Sequence, residues 1–150
     1  MHYSNKVHFK KVLFLLSFVT FYSCGLFLSP YSAYSYSTLT KLKVLHMKFI
    51  ETNTKGDNHE YNKEKIDDSY NTIDTKFREA LEYEKQVTND NARLEAFEIL
   101  YDELKSNYKQ LLESVDLFSK PFSEELLGEI GKNYDLAIKG ELSRRNSPTN

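Results

Sequence analysis

Histidine and cysteine, the side chains that most often act as general bases, nucleophiles and metal ligands, are scarce in this chain. The four histidines are His2, His8, His46 and His59, and the single cysteine is Cys24. None of them lies in residues 64–150, so that region offers no nucleophile–histidine pair and no His/Cys zinc site. We therefore predict that the protein is not an enzyme and has no catalytic, cofactor-binding or metal-binding residues.

Carboxylates are the remaining groups with catalytic or metal-binding chemistry. The adjacent acid pairs at positions 67–68 and 124–125 each fall where the first turn of a helix is expected. Negative charge is favoured there by the helix dipole, which explains both pairs without any catalytic role. The side chains of Asp57, His59 and Glu60 could contact a metal ion, but a solvated linker explains this polar segment better.

Tyrosines on apolar helix faces, together with one glutamate, are the best candidates for contact with a partner. Tyr70, Tyr101 and Tyr108 occupy positions where the helical spacing expects apolar residues, and tyrosine is enriched at interfaces, although core packing would also explain them. Glu84 occupies an apolar position as well. It marks either a place where the bundle meets solvent or a partner, or an edge position with a buried aliphatic stem.

Amphipathic helices must position these side chains. Apolar residues from Ile66 to Val87 follow a 4-3-4-3 spacing, and Asn62 can cap that helix. A second helix is predicted over residues 91–115, where seven apolar positions from Leu94 to Val115 keep the spacing of a coiled coil. The short break between them predicts an antiparallel hairpin, with one long bent helix as the alternative.

A third helix completes the predicted fold. Ser123 is a good N-cap, with acidic residues just inside it, and Gly140 suits the C-terminal end. We predict an all-α protein, a small bundle of about three helices made of a hairpin plus a third helix. The helical domain spans residues 63–143, and residues 144–150 form a tail.

The N-terminal region has a different composition from the rest of the chain. Its first fifty residues contain six lysines and no acid, whereas the remainder carries all 22 acids. A basic start is followed by an apolar run, Val12–Ser29, and by small residues, which is the order of a secretory signal peptide. Ala33-Tyr34-Ser35 predicts cleavage before Tyr36 and a signal peptide over 1–35. Ser23-Cys24-Gly25 is a second candidate for the cleavage site.

Other uses of this leader stay open. An 18-residue apolar run can span a bilayer, so an uncleaved leader would be a signal anchor, the one case in which we expect membrane contact. Lipidation of Cys24 is a further alternative. Because residues 31–50 stay free of acids, a two-part leader directing the chain to a plastid-type organelle through the secretory route is another. Residues 36–62 are predicted to be a disordered linker, first basic and then polar.

The charge of the region that follows the leader limits the class of partner. After residue 50 the 22 acids outnumber the remaining 14 lysines and arginines, which disfavours nucleic acid as a partner. The sequence predicts a small secreted helical protein that acts as a non-enzymatic protein-binding module, with self-association through helix faces allowed. The alternatives are an organelle-targeted subunit, carrier or co-chaperone, and a signal-anchored membrane protein.

Overall fold

The computed structural model describes four segments of the chain, which contain four α-helices and no β-strand. The described residues are 29–54, 62–87, 90–113 and 120–145. The helices are α1 Ala33–Thr54, α2 Lys63–Val87, α3 Asn91–Glu113 and α4 Lys120–Arg145. The prediction of an all-α bundle is confirmed. The number of helices was wrong, because the bundle has four helices rather than three.

The additional helix, α1, occupies residues that the sequence assigned to a signal peptide and a disordered linker. Its buried residues recur every three or four positions and face the core of the bundle. They are Ser35, Leu39, Leu42, His46, Phe49, Ile50, Asn53 and Thr54. Several of them are polar, which hides the amphipathic pattern from a search for apolar spacing. Residues 55–61 of the predicted linker, and residues 1–28 of the predicted signal peptide, lie outside the described residues.

The second and third helices form the predicted antiparallel hairpin. Asn62 caps α2 by accepting a hydrogen bond from the Lys65 backbone N–H at 2.9 Å. Asp90 caps α3 in the same way, with the Arg93 N–H as donor at 3.0 Å. Contacts that join Tyr108 to Asp67 and Tyr101 to Asp74 show that the two helices run in opposite directions.

The fourth helix begins earlier and ends later than predicted. Ser123 does not cap it but lies buried inside the first turn, where its hydroxyl meets that of Thr54 at 2.9 Å. Gly140 does not end it, because the helix continues to Arg145. No heavy atom lies within 4 Å of the space that a Cβ at Gly140 would occupy. This glycine therefore leaves an open position on the surface of the bundle.

The four helices follow an up-down-up-down topology around one core. Thr54 of α1 meets Ser123 at the start of α4, and Ser35 near the start of α1 meets Glu84 near the end of α2. Consecutive helices are thus antiparallel neighbours, as in simple four-helix bundles. The core residues without exposed surface include Ile50, Phe77, Phe97, Leu104, Ile130 and Tyr134.

Candidate protein-interaction face

The three tyrosines singled out from the sequence lie together along the seam between α2 and α3. The rings of Tyr70 and Tyr108 stack with centroids 3.9 Å apart, and Tyr101 stacks on Phe77 at 5.3 Å. Their hydroxyls are bound within the chain: Tyr108 donates to Asp67 at 2.8 Å and Tyr101 to Asp74 at 2.5 Å. These tyrosines therefore hold the hairpin together while half-buried.

Burial and the contact with Asp74 together keep the Tyr101 phenol protonated. Burial is the first cause that raises the pKa of the Tyr101 phenol to about 12, and the hydrogen bond to Asp74 is the second. Arg78, one turn further along α2, pairs with the other oxygen of Asp74 at 2.5 Å. The phenol thus stays protonated at neutral pH and keeps its role as a donor.

Glu84 lies far from the tyrosines, inside the end of the bundle where α1 begins. It is 1 % exposed and accepts a hydrogen bond of 2.5 Å from the Ser35 hydroxyl, while its second oxygen has no hydrogen-bond partner. Burial is the main cause that raises the pKa of this carboxyl. In this structure Glu84 faces the first turn of α1 and does not face solvent.

A buried ion pair lies beside Glu84 and connects three parts of the chain. Glu141 of α4 accepts from Arg93 Nε at 2.8 Å and from the Ser32 backbone N–H at 2.6 Å. Arg93 also donates to the backbone oxygen of Pro30 at 2.7 Å. Arg144 bridges Asp90 to the same cluster, with an N–O distance of 2.8 Å to Asp90. These charges stabilise one another and fasten residues 30–35 to the bundle.

His46 is the one described histidine, and it lies in the middle of the core with no exposed surface. Its Nε2 lies 3.0 Å from the Asn107 side-chain nitrogen, and its Nδ1 lies 3.4 Å from the Tyr134 hydroxyl. With the Asn107 amide as donor, Nε2 accepts and Nδ1 carries the proton. Burial lowers the pKa of His46 to about 4, so the ring is neutral at pH 7.

The acid pairs noted in the sequence lie at the surface of the bundle. Asp68, Glu124 and Glu125 are exposed, whereas Asp67 is half-buried and pairs with Lys63 at 2.6 Å. Among the described residues, no cluster of three His, Cys, Asp or Glu side chains has the placement to hold a metal ion. None of the four described helices is long and apolar enough to cross a membrane.

An apolar groove between α3 and α4 is the most distinctive surface feature of the described residues. We call it the α3–α4 face. It encloses about 410 Å³, its lining combines small side chains with larger ones such as Phe97 and Arg144, and it is flanked by one large aliphatic residue from each helix. Ile99 is 58 % exposed and Leu136 is 68 % exposed. The small residues that line the groove are Ala92, Ala96, Ala137 and Gly140.

A second apolar groove, of about 580 Å³, lies between α1 and α2. Its lining includes threonines and lysines, and its one strongly exposed aliphatic side chain is Val44, at 61 %. Tyr34, at one end of this groove, already packs on Tyr83 with ring centroids 3.9 Å apart. The α3–α4 face differs from this groove because both of its helices present a strongly exposed aliphatic side chain beside small lining residues.

Sequence reasoning missed the two residues at the centre of this face, although the sequence contained an indication of them. Ile99 follows Phe97 by two positions and Leu136 follows Tyr134 by two, so both fall outside the buried spacing of their helices. A large aliphatic residue outside that spacing points away from the core.

Searches of known protein families, curated proteins and solved structures found no match to this chain.

Proposed function

We propose that this chain is a secreted, non-enzymatic protein-binding module that binds its partner through the α3–α4 face. The observation that carries the proposal is the pair of exposed aliphatic side chains, Ile99 and Leu136, beside a groove whose lining includes three alanines and a glycine. Fully burying a side chain of this size contributes about 1.5–3 kcal/mol, so covering these two half-exposed residues would contribute on the order of 2–4 kcal/mol.

The shape of the face favours a helical partner. Alanines and a glycine along the groove allow another backbone to approach closely, and an amphipathic helix can place its apolar side chains between α3 and α4. Charged residues along the two outer edges of the face, which we call its rims, favour a partner helix of complementary charge. Acidic residues Glu95 and Asp102 border α3, and basic residues Lys132 and Lys139 border α4. A partner helix with a basic edge toward α3 and an acidic edge toward α4 would complement both.

The contacts of α1 disfavour the alternative in which the chain is cut twice. The organelle-directed alternative expects a second cut near residues 50–62, which would remove α1 and with it Leu39, Leu42, Phe49 and Ile50 from the core. A core that loses four large apolar side chains would be destabilised by several times 2–5 kcal/mol, which exceeds the stability of a small domain. A cut upstream of residue 29 leaves every described contact intact.

The burial of the one described histidine supports a binding role over an enzymatic one. His46, the histidine of the described residues, is enclosed in the core, where both ring nitrogens face Asn107 and Tyr134. A general base must reach the proton that it removes, and this imidazole is shielded from any substrate.

Photo-crosslinking in the cells that make the protein tests this proposal. A benzoylphenylalanine placed at Ile99 or at Leu136 should give a covalent adduct with a protein partner. The matched control is the same probe at Val44, which is similarly exposed but lies in the α1–α2 groove. Mass spectrometry of the adduct identifies the crosslinked segment, which should be a helix of the charge pattern given above. Adducts from position 44 alone, or from none of the three positions, would refute the proposal.

A further inference from the structure

We propose that the partner that fits the α3–α4 face is a second copy of this chain, giving a symmetric dimer in which the two faces pack on each other. This inference rests on the proposed function, because it assigns an occupant to the same surface. It is carried by the distribution of charge around the face, which complements itself under one particular two-fold rotation.

The acidic and basic rims lie on the outer edges of the face. Glu95 and Asp102 stand four residues before and three after Ile99, which places them on the same side of α3. Helix geometry puts the groove-lining Ala96 on the other side of Ile99. The same relation holds on α4, where Lys132 and Lys139 stand four residues before and three after Leu136. All four charged residues are exposed.

The register between α3 and α4 brings each acid level with one lysine. Arg93 bonds to Glu141, and Glu103 bonds to Asn133, so residue numbers at the same height on the two antiparallel helices add to about 235. Glu95 therefore lies level with Lys139, and Asp102 with Lys132. The sums from the two contacts differ by two residues, which is roughly 3 Å along the helix axis.

A two-fold axis parallel to the helices turns this arrangement into a complementary interface. It lays α3 of each copy over α4 of the other and preserves the height of every residue. Glu95 then meets Lys139 of the second copy and Asp102 meets its Lys132, each pair occurring twice. Ile99 packs against Leu136 of the second copy at the centre. A two-fold axis perpendicular to the helices would instead oppose acid to acid and lysine to lysine.

The size of the face suits a dimer of moderate affinity. A helix of 23 residues such as α3 is about 35 Å long, and two neighbouring helices are about 20 Å wide, so the face covers roughly 700 Å² per copy. Standard specific interfaces bury about 800 Å² per partner. Asp102 already bonds to Lys105 at 3.0 Å, but this exposed pair contributes little and can be exchanged for a contact across the dimer.

Sedimentation velocity of the mature chain tests for the dimer, which should form at protein concentrations of about 100 μM or below. Leu136→Lys should raise the dissociation constant at least about tenfold, whereas Val44→Lys on the α1–α2 groove should leave it unchanged. A wild-type chain that stays monomeric at about 100 μM would overturn the proposal.

Charge exchange provides the decisive test. The all-acidic variant Lys132→Glu/Lys139→Glu and the all-basic variant Glu95→Lys/Asp102→Lys should each be monomeric, because like charges then face each other. An equimolar mixture of the two should restore dimers, since every acid again meets a lysine. Circular dichroism checks that both variants fold, and all four positions are exposed. A mixture of folded variants that stays monomeric would contradict the proposed symmetry.

The two proposals can fail separately. If the wild-type chain is monomeric while probes at Ile99 and Leu136 crosslink to a different protein, the second copy is the wrong occupant and the binding face stands. If the chain dimerises and Leu136→Lys still dimerises as well, the interface lies elsewhere on the bundle. If in addition the probes give no adduct, the proposed function fails together with this inference.

Discussion

Acidification should destabilise this protein through His46, because the folded core holds that imidazole in its neutral form. The pKa of His46 falls from 6.5 to about 4 on burial, whereas in the unfolded chain it keeps its ordinary value. The unfolded state therefore binds more protons than the folded state between these two pH values. The stability that neutral His46 contributes is fully present above pH 6.5 and is lost as the pH falls toward 4.

The size of this effect follows from the shift itself. A difference of about 2.5 pKa units corresponds to about 3 kcal/mol, of which roughly 2 kcal/mol should already be lost at pH 5. Small domains are stable by only about 5–15 kcal/mol in total, so the loss is a large fraction of the whole. The cause of the shift is burial, which penalises the charged imidazolium. With the Asn107 amide as donor to Nε2, a second ring proton would also face that amide.

Urea unfolding at a series of pH values from 8 to 4 measures the free energy of unfolding directly. The comparison is with His46→Leu, which cannot titrate at this position. That variant should be less stable at pH 8, since it leaves the Asn107 amide without its acceptor, but its stability should fall much less between pH 6.5 and 4. The informative quantity is the slope of the free energy of unfolding against pH, which should differ between the wild-type protein and His46→Leu.

Nuclear magnetic resonance provides an independent measurement of the same shift. A chain that begins at Leu26 contains only His46 and His59, so a His59→Gln background in that chain leaves a single imidazole to titrate. Its resonances should move only well below pH 6. A titration midpoint near 6.5 would refute the reasoning. So would free energies of unfolding that fall equally steeply with pH in the wild-type protein and in His46→Leu.

Two further predictions concern the buried charged groups at the end of the bundle where α1 begins. Because burial raises the pKa of Glu84, its contribution to stability is complete below its unfolded pKa of 4.5 and is lost as the pH rises through the folded pKa. Glu84→Gln should therefore raise the urea midpoint at pH 8 and leave it nearly unchanged at pH 4; the exposed control Glu98→Gln should change neither, and a lower midpoint at pH 8 would contradict the assignment. A mature chain beginning at Tyr36 would lack the groups of Pro30, Ser32 and Ser35 that bind Arg93, Glu141 and Glu84. Two of these bonds involve buried ion-paired groups, so this chain should be about 4 kcal/mol or more less stable than one beginning at Leu26. Mass spectrometry should place the native N-terminus upstream of Ser29, and equal stability of the two chains would show that the residues before Tyr36 are dispensable.

The hairpin of α2 and α3 could be predicted from the sequence because its buried positions are mostly apolar. Ile66, Ile73, Phe77 and Ala80 repeat at helical spacing, and the caps at Asn62 and Asp90 use ordinary side-chain chemistry. Glu84 belongs to the same buried stripe, although we expected it to meet solvent or a partner, or to lie at an edge. What the spacing could not show is that a hydroxyl from α1 would meet this carboxylate inside the bundle.

Helix α1 could not be predicted in the same way because its inward face mixes polar and apolar residues. Ser35, His46 and Asn53 interrupt the apolar spacing, and each is suited to the core only because another helix supplies a partner. Asn107 serves His46, and Ser69 serves Asn53 at 3.2 Å. Such pairings are long-range, so they cannot be inferred from the local sequence of either helix.

The candidate site could be predicted only in part, because it too depends on contacts between residues far apart in the sequence. The tyrosines at 70, 101 and 108 were singled out by their spacing. The carboxylates that accept hydrogen bonds from their hydroxyls come from the neighbouring helix or from the next turn of the same helix. The α3–α4 face depends on Ile99 and Leu136 becoming neighbours, which requires the pairing of two helices across a connection that the sequence leaves undetermined. Only the outward position of each aliphatic residue on its own helix could be predicted.

Buried polar contacts explain how the bundle fixes the register on which that face depends. Apolar side chains can slide past one another at little cost, whereas a buried hydrogen bond displaced by one turn leaves polar groups unpaired, at about 1–3 kcal/mol each. Such contacts occur at both ends and in the middle of the bundle, joining Arg93 to Glu141, His46 to Asn107 and Thr54 to Ser123. They hold α3 and α4 at one relative height, which keeps Ile99 beside Leu136 and each rim acid level with a rim lysine. His46, one of the polar residues that obscured α1 in the sequence, is thus also one of the residues that hold the register of the outer face.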